Sequence, residues 1–208
     1  VHTFHGHVLH GYYGPVKNQL LRWVERSLAL AADRLVTVSE QVTVYAIVPG
    51  RGYEQSVVIL GAAYANFLVH DGWAPYDRFL QAFHQSCLRH LLTRCKEMAR
   101  IASSAAAVFP LTVKELLQAS LQLRDRYREG EISEHGLGSA TGRLEAQLDR
   151  LLEKTYRHPA NRRLARHLEH ERPYLFTFLH CPGLDATNHE AERAIRWMVI
   201  ARKVWGGN

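Results

Sequence analysis

Two acidic residues carry the chemistry this chain could do. Asp71 closes the run Phe67-Leu68-Val69-His70-Asp71-Gly72-Trp73, and Glu192 lies in Asn188-His189-Glu190-Ala191-Glu192-Arg193-Ala194-Ile195-Arg196. The first run reads as a buried strand ending in a turn, the second as a helix. Carboxylates held on separate rigid elements can bind divalent metal. A pair of such ions about 3.5–4 Å apart activates the nucleophile and stabilises the leaving oxygen in phosphoryl transfer. Mg²⁺ is a hard ion that favours carboxylate and water oxygens, so the residue types suit it. Each acid also has an ordinary structural role. Asp-Gly is a common turn dipeptide, and Glu192 has Arg196 at i+4 for an exposed ion pair worth ~0.3–0.5 kcal/mol. On pattern alone those roles win. The chemistry requires the two carboxyl groups to meet at one edge of a sheet.

The elements that must position them follow from periodicity. Leu20, Val24, Leu28 and Ala31 repeat at helical spacing after Pro15, predicting a helix over 15–33. Leu35–Val38 and Val42–Val48 are β-branched and alternate, predicting a strand pair. A helix is expected over 53–63, a short central strand over 66–70, a helix around 75–82 and a further strand around 83–87. From Leu88 to about His180 helical periodicity dominates, with leucine stripes at 116, 117 and 121, at 144, 148, 151 and 152, and at 164 and 168. Gly130, Gly136, Gly138, Pro159 and Pro173 are expected to punctuate this block. A final helix is predicted from about 188 to 203. The order implies an α/β fold, a mixed sheet with helices packed on it and a large all-helical insertion before the last helix.

Composition sets wide bounds. The chain has 208 residues, 47% hydrophobic and 22% charged, enough for one sizeable core plus an insertion. A net charge of +6 favours polyanionic partners only weakly. Three cysteines, Cys87, Cys95 and Cys181, and no secretory leader point to a reducing, cytoplasmic setting. No apolar run approaches the roughly 20 residues of a membrane span. The start without Met and the stop at Gly206-Gly207-Asn208 are expected of a fragment of a longer protein.

Other clusters are weighed against simpler roles. His84, Cys87, His90 and Cys95 form H-x2-C-x2-H-x4-C, whose residue types suit zinc, but four ligands on a mostly helical stretch do not easily close a tetrahedron. A buried Cys and an exposed His are the plainer reading. His2, His5, His7 and His10 are metal-friendly yet sit at a chain end. Arg193, Arg196, Arg202 and Lys203 around Glu192 could hold DNA phosphates or form a solvated helix face. Trp73, beside Asp71, is the best candidate for a DNA-facing aromatic, whereas Trp197 and Trp205 read as packing residues.

Two blocks of this sequence resemble the insertion-sequence-sixty-six (IS66) family of bacterial DDE transposases. The first holds Thr43-Val44-Tyr45, Arg51-Gly52, Leu60-Gly61, Leu68-Val69-His70-Asp71-Gly72-Trp73 with Tyr76, His84-Gln85, Cys87, His90-Leu91 and Arg94. The second holds Asn188, Ala191-Glu192-Arg193, Ile195-Arg196, Ile200 and Arg202-Lys203. The resemblance implies an RNase H-like core that cuts and rejoins DNA with Mg²⁺ or Mn²⁺. It makes Asp71 the second acid of the catalytic triad and Glu192 the third, with Glu190 the near alternative. It makes Cys87 and His90 a C-x2-H element that orders the site or contacts DNA. It also implies transposon-end and target DNA as partners, a homo-oligomer, and a nucleoid-associated protein of the cytoplasm. The expected layout is an N-terminal helical segment over 1–34, a first core part over 35–96, the helical insertion over 97–182 and the Glu192 helix over 183–208. The family's first Asp precedes the strand matching Leu35–Val38, yet here a helix runs almost straight into Leu35, and Asp33 is the nearest acid. The expectation is therefore a transposase fold with crippled catalysis. The alternative is a catalytically dead remnant that binds only DNA or protein.

Overall fold

The computed structural model describes residues 52–102, 104–194 and 196. The chain divides into two compact units. One holds Asn66–Gly72 and Phe83–His189; the other, among the described residues, holds 52–65, 73–82, 190–194 and 196. Among the described residues the fold is α/β and mostly helical, with one small two-stranded parallel sheet. The expected helix over 15–33 and the strands over 35–38 and 42–48 lie outside the described residues.

In the first unit, β1 (Phe67–His70) pairs in parallel with β2 (Phe83–Ser86), in the register Phe67↔Phe83, Leu68↔His84, Val69↔Gln85 and His70↔Ser86. Each strand is one residue shorter than the pattern predicts at one end. Because side chains alternate along a strand, this register puts His70, His84 and Ser86 on one face of the sheet. The rings of Phe67 and Phe83 meet across the strands at 5.5 Å.

Helices α2 (Leu88–Ile101), α3 (Ser104–Arg128), α4 (Glu134–Leu152) and α5 (Pro159–Glu171) follow, then a 3-10 turn (Arg172–Tyr174) and the short α6 (Thr177–His180). The leucine stripes lie where their spacing places them. Leu116, Leu117, Leu148, Leu164 and Leu168 are buried in one continuous core, against which Leu121, Leu144, Leu151 and Leu152 pack. Pro159 opens α5 and Pro173 sits in the 3-10 turn, as punctuation. Gly136 and Gly138 do not punctuate: both lie inside α4, whose start is set instead by Ser133, the hydroxyl of which accepts from the Gly136 backbone N–H at 3.1 Å.

Pro110 lies within α3 without ending it. A proline has no N–H to offer the carbonyl four residues back, so the Ala106 carbonyl loses its helical partner. Asn161 of α5 supplies one: its Nδ2 donates to the Ala106 oxygen at 2.8 Å. A long helix and its neighbour are thereby joined at the point where the helix is weakest.

In the second unit, α1 spans Tyr53–Leu60 and stops at Gly61, whose φ of 86° ends the helix before the 63 that periodicity predicts. The helix expected around 75–82 is a 3-10 turn over Ala74–Arg78, because Phe79 N–H closes on the Tyr76 carbonyl at 3.0 Å, an i→i+3 bond. The buried Phe79 ring holds the unit together, meeting Tyr53 at 5.1 Å and Tyr64 at 6.4 Å, while the Arg78 guanidinium lies 3.8 Å over the Tyr53 ring.

Candidate active site

Asp71 follows the last residue of β1 and its side chain is exposed. A carboxylate at the end of a buried strand is held by the sheet yet open to solvent. The turn that presents it depends on Gly72, which has a φ of +79°, a region L-residues rarely enter. Space makes a second demand. A Cβ on Gly72 would stand 3.0 Å from Glu171 Oε1 and 3.1 Å from His167 Cε1, both on α5. Gly72→Ala is therefore expected to destabilise the chain by at least ~1–2 kcal/mol from the backbone alone, with a further cost for displacing α5. Thermal melting checks this; an unchanged melting temperature would contradict the close approach.

Beneath the turn runs a chain of hydrogen bonds. Gly72 N–H donates to His70 Nδ1 at 3.1 Å, and His70 Nε2 lies 3.0 Å from His84 Nδ1. The backbone N–H fixes the tautomers. His70 Nδ1 must accept, so the ring carries its proton on Nε2 and donates it to His84 Nδ1. His70 thus serves as a neutral imidazole. Burial, with the nearby His84 adding to it, pushes the pKa of His70 down to about 4. The Tyr174 ring closes the face, 4.9 Å from His84. On β2, Ser86 Oγ donates to Glu171 Oε2 at 2.6 Å, and both residues are buried. The short distance is that of a hydroxyl bonded to a carboxylate.

The sequence assigns no separate role to His70, Ser86 or Glu171, and it marks His84 only as a member of the zinc cluster. His70 and His84 sit at inward positions of short strands, a signal legible only once the parallel register is known. Glu171 lies in a helix otherwise marked by its leucines, and nothing in its spacing sets it apart.

Cys87 is buried at the junction of β2 and α2. Its Sγ–H donates to Asn188 Oδ1 at 3.0 Å, and the next backbone N–H, of Leu88, donates to the Ala186 carbonyl at 3.0 Å. Two bonds therefore pin 186–188, the segment just before Glu192 in the chain. Arg89 and His189 are also hydrogen-bonded. His90 is half-buried in the first turn of α2. The zinc arrangement of His84, Cys87, His90 and Cys95 does not form: His84 Nδ1 is used by His70, the Cys87 thiol by Asn188, and Cys95 faces the core, where burial pushes its thiol up to about 12.

Glu192 is half-buried in a helical stretch, 189–194 with 196. Glu190 is exposed and pairs with Arg193 at 3.7 Å, its i,i+3 partner. Arg193 and Arg196 are exposed. Trp73, in the second unit, is 40% exposed. Arg202, Lys203, Trp197 and Trp205 lie outside the described residues, as do His2, His5, His7, His10 and Asp33. Asp71 belongs to the first unit and Glu192 to the second. Their oxygen donors fit a hard divalent cation. Among the described residues no three His, Cys, Asp or Glu side chains form a group able to hold a metal.

No helix among the described residues is long and apolar enough to cross a membrane. No curated protein and no solved structure matches the chain. One family does, described as Transposase IS66 family, over residues 22–208. That span takes in the Asp71 turn, the helical block behind it and the Glu192 segment, and by it the chain belongs to the IS66 family of transposases.

Proposed function

We propose that this chain is a DDE-type transposase component that acts on transposon-end and target DNA through an RNase H-like core. Asp71 and Glu192 supply carboxylate oxygens to Mg²⁺ or Mn²⁺. When bound, such ions activate the attacking oxygen and stabilise the leaving one. The observation that carries the reading is the exposed Asp71 carboxylate on its glycine turn at the end of a buried parallel strand, inside a family match that also spans Glu192. The bond from Cys87 to Asn188 supports a site-ordering role for Cys87, with His90 one turn along. Arg193, Arg196, Arg202 and Lys203 would take the DNA phosphates, and Trp73 would meet a base or sugar. The layout proposed is the helical segment over 1–34, the core over 35–96 and 183–208, and the insertion over 97–182, with two or more copies assembling on DNA.

Cleavage is expected to be impaired, because no first acid is identified and Asp33 is the nearest upstream candidate. The second reading is a remnant that binds DNA and does not cut it, and it follows from the predicted helix over 15–33 running almost straight into Leu35, with no strand between them to carry a first acid. Purified protein incubated with terminal inverted-repeat DNA and Mg²⁺ or Mn²⁺ separates these. Binding without cleavage is the expected result. Cleavage that vanishes in Asp71→Ala would overturn the impairment and keep the role of Asp71. No DNA binding even at low salt would overturn the whole reading.

A further inference from the structure

We propose that Glu171 is a positioning residue for Asp71, and that the helical block acts on the metal site through this one buried carboxylate. The inference rests on the reading of Asp71 as a metal ligand. Glu171 ends α5 and is wholly buried, yet a carboxylate is a costly group to bury and is kept only where it is held by partners. Its two oxygens reach two different parts of the sheet. Oε2 accepts from Ser86 on β2 at 2.6 Å. Oε1 stands against Gly72, 3.0 Å from the place a Cβ would occupy. The side chain thus spans from the end of β2 to the turn after β1.

The turn is held from the other side as well. His70 Nδ1 accepts the Gly72 N–H at 3.1 Å, so the residue after Asp71 is caught between an imidazole on its own strand and a carboxylate on α5. α5 in turn cannot drift. Just beyond it, Gln85 bonds the Leu175 carbonyl and the Phe178 N–H, and Thr177 Oγ1 donates to the His84 carbonyl at 2.7 Å. A carboxylate that serves only the fold would need neither the glycine nor the sheet end. This one occupies the space that a side chain at 72 would fill, and a direction set at 72 is a direction set for Asp71.

Two measurements on the full chain test this, with Glu171→Ala, the shape-preserving Glu171→Gln, Ser86→Ala and Asp71→Ala. Hydrogen–deuterium exchange reads the turn itself: Glu171→Ala should speed exchange in a peptide covering 71–73, and Ser86→Ala should do so to a smaller degree. Mn²⁺ titration followed by electron paramagnetic resonance reads the ligand. Glu171→Ala should weaken Mn²⁺ binding by ~10-fold or more at temperatures where circular dichroism shows it folded, with Glu171→Gln retaining most of the affinity. Unchanged exchange at 71–73 in Glu171→Ala overturns the clamp. Faster exchange with wild-type Mn²⁺ affinity overturns the positioning role and leaves Glu171 a stabilising group alone. If Asp71→Ala binds Mn²⁺ as the wild type does, the metal reading of Asp71 fails and this inference fails with it. Should Glu171→Ala not fold, Ser86→Ala carries the same two outcomes.

Discussion

Gln85→Leu is expected to lower the stability of the chain by ~3–5 kcal/mol, a large part of the 5–15 kcal/mol typical of a folded domain. Gln85 is fully buried in the middle of a strand whose neighbours are apolar or ring-bearing. Its amide makes three bonds. Nε2 donates to the Ser86 carbonyl at 2.7 Å and to the Leu175 carbonyl at 3.2 Å, and Oε1 accepts from the Phe178 N–H at 2.8 Å. Leu175 and Phe178 belong to the segment after α5, some ninety residues on, so one side chain docks the end of the helical block onto β2. Leucine matches the volume and supplies none of the bonds. The Leu175 carbonyl and the Phe178 N–H would then lie in an apolar core with the full cost of their lost hydration, about 1–3 kcal/mol each. Denaturant unfolding checks this through the transition midpoint. A loss under ~1 kcal/mol would mean that water or a neighbouring group reaches the site.

Acidification should produce a loss of similar size without any substitution. Burial pushes the pKa values of His70 and His167 down to about 4 from the ordinary 6.5. For His70 the nearby His84 adds to burial; for His167 the charges of Arg94 and His170 do. The unfolded chain takes up these protons as the pH falls through 6.5, whereas the folded chain holds out until about 4. The stability that the neutral imidazoles permit is therefore whole above about pH 6.5, and it drains as the pH drops toward 4. At about 1.4 kcal/mol per pKa unit, His70 alone accounts for up to ~3 kcal/mol. His167 is partly exposed and adds less. The geometry gives the same sign. A protonated His70 would turn an N–H toward the Gly72 N–H, and two donors would face each other where a bond now stands. Unfolding free energies at pH 7 and pH 4.5 test this, and equal values at the two would contradict the neutral, donating tautomer of His70.

The sequence made the Asp71 turn visible for a local reason: a β-branched and apolar run, an acid and a glycine leave few options for the backbone. The helices were visible for the same kind of reason, since Leu116 and Leu117, or Leu164 and Leu168, mark a buried face by spacing alone. What stayed hidden was set by contacts between distant residues. His70 and His84 face each other only because β1 and β2 run parallel in one register. Asn161 repairs the Ala106 carbonyl only because α5 crosses α3 beside Pro110. Glu171 gains its place from Gly72, a hundred positions earlier in the chain. Gly136 and Gly138 misled in the opposite sense, because the cap at Ser133 and the packing of α4 outweigh the weak helix propensity of glycine. In 75–82, a local i→i+3 closure and the burial of Phe79 outweighed helical periodicity.

The proposed function requires Asp71 and Glu192 to serve the same metal. Fe²⁺ in place of Mg²⁺, with ascorbate and peroxide, generates hydroxyl radicals that cut the backbone beside the bound ion. The account predicts cuts around 71 and around 192 in the same protein, with both sets lost in Asp71→Ala and both lost in Glu192→Ala. Cuts at one position that persist when the acid at the other is replaced would contradict it.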